Sequence, residues 1–182
     1  MKVLGIDTSG YANAVGIVDG DRVLADLVFE ARNDSLARIM VNIDSAVKEA
    51  GLSFADVQGF GVGLGPGSWT GIRIGVAVGK MLAFGTGKPV KGVSTLEALA
   101  FSARDAHSLI CPVIDAGAGG AVYAALYRGG NGKIRRVSEY HVGDIQDLAN
   151  MINEPAVLVL SLIHISEPTR PLYISYAVFC LK

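Results

Sequence analysis

Three stretches of this 182-residue chain carry residue types able to do chemistry: Asp7-Thr8-Ser9, Gly65-Pro66-Gly67, and the scattered histidines His107, His141 and His164. A carboxylate and two hydroxyls after a first strand can handle phosphate, which makes Asp7, Thr8 and Ser9 candidate nucleotide-binding residues. The same residues also make a plain Asx or Ser/Thr turn. The glycine loop precedes a helical pattern that Ser68 or Thr70 can cap, and it gathers backbone N–H groups where the helix dipole favours an anion. It is not a P-loop. Gly75 to Met81, GVAVGKM, is one residue short between its glycines, lacks a hydroxyl residue after Lys80, and lies inside the helix; GVGLGPG lacks the dinucleotide spacing. The histidines include no pair four residues apart, so no metal site is expected. No Ser-His-Asp or Cys-His arrangement follows from spacing, so no catalytic residue is assigned.

The helix after the loop holds a second signal. Gly71, Gly75 and Gly79 recur every fourth residue and line one face, although each costs a helix about 1 kcal/mol relative to alanine. A chain that keeps three such glycines needs close backbone approach, either to its own sheet or to another helix.

Composition bounds the rest. Half the chain is hydrophobic (51%) and the formal net charge is −1, enough for a real core in one domain or two small lobes. A pI near 6.3 with interspersed charges lacks the basic stripe of an independent nucleic-acid binder. Cys111 and Cys180 have neither metal-ligand spacing nor a disulfide framework, which fits a reducing compartment and a cytoplasmic protein. No apolar run reaches bilayer length, so no membrane association is expected.

The elements that must position these residues can be read in order. Lys2 to Ile6, Asn13 to Val18 and Arg22 to Glu30 form a three-stranded meander; the third strand alternates with Val23, Ala25, Leu27 and Phe29 on one face. Asp34 caps an amphipathic helix on Leu36, Ile39, Ile43, Val47 and Ala50, closed by Gly51; Met40 and Val41 widen its apolar surface. Gln58 to Leu64 is a strand, Pro89 to Val93 another, and Ser94-Thr95-Leu96-Glu97 a capping box for a helix to about Ala106. Leu109 to Ile114 opens a further meander with Ala121 to Arg128 and Lys133 to Val142. The expectation is an α/β protein of the ribonuclease H-like or actin-like ATPase (ASKHA) class: a mixed sheet with an antiparallel meander, then βαβα, then an incomplete second lobe. The expected divisions are 1–107, 108–160 and 161–182.

The strings VLGIDTSG, GPGSWTGIRIGVAVGKMLAFGTGKPVKGVSTLEALA and VIDAGAGGAVYAALY together resemble the TsaB (YeaZ) family over about Met1 to Val142. That resemblance implies a non-catalytic subunit that dimerises with TsaD, the transferase of tRNA threonylcarbamoyladenosine synthesis, with the ATPase TsaE joining. It implies tRNA contact only through the complex, no cofactor of its own although ATP is possible at the complex interface, and a homodimer as the alternative assembly. Because the family pairs through its first two helices, it also makes Ile39, Ile43, Gly71, Gly75 and Gly79 the expected partner surface. The enzymatic alternative is a small ASKHA-type ATPase or phosphotransferase using Asp7, Thr8 and the Gly65–Gly67 loop.

The chain departs from the family in three places. Asp34-Ser35 stands where members carry His-Ser or His-Thr. Ile114-Asp115-Ala116-Gly117 lacks the arginine of the family's Ile-Asp-Ala-Arg motif, and Gly119-Gly120 adds about one residue. From about Ser161, SLIHISEPTRPLYISYAVFCLK resembles translated sequencing-adapter read-through, so 161–182 is expected to be a non-native tail; a strand–turn–strand hairpin is the native alternative.

Overall fold

The computed structural model describes residues 1–30, 35–117, 119–161 and 176–181, and the chain divides into two compact units, Met1–Thr95 and Leu96–Lys182. The expected caps at Asp34-Ser35, the side chain of Leu36, His164 and the turn of the tail lie outside the described residues or side chains.

In the first unit, β1 (Lys2–Asp7), β2 (Ala12–Asp19) and β3 (Arg22–Glu30) form the meander, with β4 (Gly59–Gly63) and β5 (Val90–Val93) added in parallel. The order is β3-β2-β1-β4-β5. Registers Leu4↔Ile17, Ile6↔Val15 and Leu4↔Phe60 bring these side chains to one face. There they meet Ile39, Ile43, Ala46 and Val47 of α1 (Ser35–Glu49) and Val78 and Ala83 of α2 (Trp69–Thr86) in one core. Both helices therefore cover the same side of the sheet. The N-cap of α2 is Ser68, whose Oγ accepts from Gly71 N, and its C-cap is Gly87 at φ +65.

The third strand differs from strict alternation in one respect. Ile17 pairs with Ala25 but Val18 pairs with Val23, so Leu24 is an extra residue in a β-bulge. The bulge turns Val23 outward, 63% exposed, while Ala25, Leu27 and Phe29 stay with the core.

The second unit repeats the plan. Here β6 (Leu109–Asp115), β7 (Ala121–Ala124) and β10 (His141–Asp144) form the meander, and β11 (Ala156–Ser161) joins parallel to β6 after α4 (Ile145–Met151). The order β10-β7-β6-β11 matches β3-β2-β1-β4 element for element. Between β7 and β10 the chain inserts β8 (Tyr127–Gly130) and β9 (Lys133–Arg136), so the two long strands expected here are four short ones. β12 (Tyr176–Leu181) pairs antiparallel with β11.

The division falls at Thr95/Leu96 rather than at 107/108, because α3 (Thr95–Phe101) sends Leu96, Leu99 and Ala100 into a core with Ile110, Tyr127 and Val157. The helix is also shorter than its capping signal suggested. Ser94 Oγ is buried with no hydrogen-bond partner among the described residues, and from Ser102 to Ala106 the backbone runs in i→i+3 turns.

Cys111 is fully buried on β6, and burial pushes its thiol from 9.0 up to about 12. The native thiol is expected to react with iodoacetamide about a thousandfold more slowly than a free one, as site-resolved mass spectrometry will measure. The unfolded chain ionises first as pH rises. The contribution of Cys111 to stability is therefore complete below about pH 9 and declines from there toward about 12.

Candidate functional site

The turn after β1 is where the first unit's elements converge. Asp7 ends the strand, and its Oδ1 accepts from Ser9 N at 2.8 Å and from Ser9 Oγ at 2.6 Å. Because the Ser9 hydrogen points at Asp7, Thr95 Oγ1 donates to Ser9 Oγ across 2.9 Å, with Asp7 Oδ2 a weaker acceptor at 3.4 Å. Thr95 N in turn donates to Gly65 O at 2.8 Å. Thr8 and Ser9 are only 2% and 3% exposed, and Thr8 Oγ1 donates to Gly71 O in the first turn of α2 at 2.6 Å.

These bonds explain the glycine loop. Ser68 N donates to Ser9 O at 2.7 Å, which places the start of α2 directly on the turn. A Cβ at Gly67 would strike Ser9 O, and one at Gly63 would lie 2.7 Å from the Asp7 carboxylate. The loop residues Gly65 and Gly67 also adopt φ +86 and +150, conformations open to glycine.

The sequence therefore brings Asp7, Thr8 and Ser9 to the Gly65–Gly67 loop, as the nucleotide reading requires, but directs their hydroxyls into the protein. Phosphate binding at this turn would need those hydrogen bonds exchanged. The cluster as it stands joins β1, the start of α2 and the end of β5 into one hydrogen-bonded block. Thr95 belongs to it and was not among the expected residues; 86 residues separate it from Ser9, and no local pattern marks the pair.

The glycine row of α2 corrects an expectation. A Cβ at Gly71 would collide with Thr8 O, one at Gly75 with Thr8 Oγ1, and one at Gly79 with Val62 Cγ2. The close approach is to the unit's own turn and sheet. Ile39 and Ile43 are likewise 0% and 2% exposed within the core. Ile39, Ile43, Gly75 and Gly79 are thus buried within their own unit, and Gly71 is half-buried against Thr8.

The outward faces carry different residues. On α2, Trp69, Arg73, Ala77, Met81 and Phe84 recur at four- and three-residue spacing opposite the glycines, with Trp69 73% and Phe84 94% exposed. On α1, Met40 and Val41 are exposed. An apolar side chain on the side of a helix away from its glycines was the available signal for the first group. In the second unit, Gly117 stands where the family carries arginine, at φ +74 with its N–H donated to Asp115 Oδ1 at 2.7 Å, a backbone that suits glycine.

Two units built on one strand order, each a meander followed by a parallel crossover, define a duplicated ribonuclease H-like protein of the ASKHA class. The solved structure of YeaZ from Pseudomonas aeruginosa superposes on it with a TM-score of 0.70 at 28% identity, over 78% of this chain and 67% of that one. The family model for TsaD, tRNA N6-adenosine threonylcarbamoyltransferase, matches residues 29–171. The chain is 34% identical over 164 residues to the tRNA threonylcarbamoyladenosine biosynthesis protein TsaB of Bacillus subtilis, covering 90% of this chain and 71% of that protein. With TsaB of Escherichia coli it shares 33% over 134 residues, 72% of this chain and 58% of that protein. The chain belongs to the TsaB (YeaZ) family of tRNA threonylcarbamoyladenosine biosynthesis proteins.

Proposed function

We propose that this chain is a non-catalytic subunit in tRNA threonylcarbamoyladenosine synthesis, acting in the cytoplasm by pairing with a TsaD-type transferase through the outer faces of α1 and α2. The observation that carries this reading is the row of exposed apolar side chains, Trp69, Met81 and Phe84 on α2 with Met40 and Val41 on α1. Solvent-facing aromatics on a two-helix layer are the composition of an interface centre. The match of the TsaD model to this chain supports a like-folded partner, one able to present a similar helix layer.

Co-expression with the TsaD-type transferase tests the proposal, with co-elution as the expected result. A chain that elutes only as its own dimer, with the transferase separate, would overturn it. Calorimetric titration with ATP addresses the enzymatic rival. Micromolar binding with hydrolysis by the chain alone would favour that rival, and it requires the Asp7–Ser9–Thr95 hydrogen bonds to open.

A further inference from the structure

The β8–β9 hairpin concentrates charge in a chain whose net charge is −1. Arg128, Lys133, Arg135 and Arg136 fall within nine residues, and no Asp or Glu occurs from Tyr127 to Ser138. Register decides how they are presented. Arg128 lies directly opposite Arg135, and Gly130 opposite Lys133, so Arg128, Lys133 and Arg135 share one face of the hairpin. Ile134 and Arg136 take the other; Ile134 packs on the core and the Arg136 guanidinium lies 4.1 Å from the centroid of the Tyr140 ring.

Like charges directly opposite one another weaken a sheet, so the Arg128–Arg135 pair is not explained by folding. Glu154 pairs with Arg128. Among the described residues, Lys133 and Arg135 form no ion pair. β9 is an edge strand, and edge strands carry cations to deter pairing with other chains. Lys133 alone meets that need, and it does not call for an arginine facing an arginine.

Apart from Glu154 beside Arg128, the hairpin's own residues on this face are cations and glycine. Its tip, Gly129-Gly130-Asn131-Gly132, turns at φ +52 and +70 at Asn131 and Gly132 and carries no bulky group. A protein interface draws on aromatic or apolar anchors, and none stands on this face. Exposed guanidinium and ammonium groups beside a narrow glycine turn match a sugar-phosphate backbone, where arginine binds phosphate oxygens in pairs.

We propose that the Arg128, Lys133 and Arg135 face of the β8–β9 hairpin contacts the phosphate backbone of the tRNA on which the assembled complex acts. The proposal rests on the functional reading above and gives the chain a direct RNA contact in place of the purely indirect one expected from sequence. The test measures the affinity of the co-purified chain and transferase for an unmodified tRNA transcript, across a potassium chloride series. Arg135→Gln, at an exposed residue with no ion pair among the described residues, is expected to lower the slope of log affinity against log salt by about 0.7 to 0.9. The triple variant with Arg128→Gln and Lys133→Gln is expected to lower it by about 2 to 3, with co-elution unchanged. Arg135→Lys retains the wild-type slope. An unchanged slope in both glutamine variants overturns the proposal, as does loss of co-elution with tRNA affinity intact, which would make the face a protein contact. Should the wild-type pair fail to form, the pairing falls, and the same series on the chain alone must still show the reduced slope.

Discussion

Gly71→Ala is expected to destabilise the first unit by about 3 kcal/mol, against the usual direction for glycine in a helix. Helix propensity alone favours alanine by about 1 kcal/mol. At Gly71 that gain is outweighed, because the new Cβ lands on the carbonyl oxygen of Thr8, a backbone atom that cannot move without dragging β1 with it. Any shift of α2 also lengthens the Thr8 Oγ1 bond to Gly71 O. Gly85, on the same helix, has nothing within 4 Å of an added Cβ, so Gly85→Ala should stabilise by up to about 1 kcal/mol. Urea denaturation of both variants gives opposite shifts in midpoint if α2 sits on the turn as described. Two shifts of the same sign would show that it does not.

The second large effect concerns binding. Trp69→Ser together with Phe84→Ser should weaken association with the TsaD-type transferase by about a hundredfold or more, the loss expected when two aromatic anchors leave an interface centre. Both side chains are mostly in solvent, so the variant should melt within about 0.5 kcal/mol of wild type. Binding and folding thus separate along one helix, with binding on the aromatic side and folding on the glycine side. Unchanged affinity in the serine variant would remove the helix face from the proposed interface.

Much of this arrangement was legible in the sequence. The strand stretches Lys2 to Ile6 and Asn13 to Val18, and the period of Ile39, Ile43 and Val47, define their elements without tertiary information, and the observed elements agree with them. The glycine row declared a close approach, yet spacing along one helix carries no label for what approaches. Thr8 and Val62 come from elsewhere in the chain, and only the fold brings them to α2. Val23 was misplaced because a bulge at Leu24 is a property of two strands, invisible in one. The Ser94 cap did not form although its four-residue pattern is complete, since the neighbouring Thr95 hydroxyl is drawn to Ser9 and Asp7.

The hydrogen bonds that tie residue 9 to residue 95 also set an order of events during synthesis. β1 is the central strand of its sheet, so one of its edges is closed by β2, which follows it directly, and the other by β4, which comes only after α1. The opening meander can pair as soon as it emerges, but the turn at Asp7 must wait until α2 and then Thr95 have followed. Contacts so far apart along the chain close late. The nascent hairpin therefore keeps one edge of β1 unpaired until β4 (Gly59–Gly63) is made, and its turn unfastened until Thr95 follows.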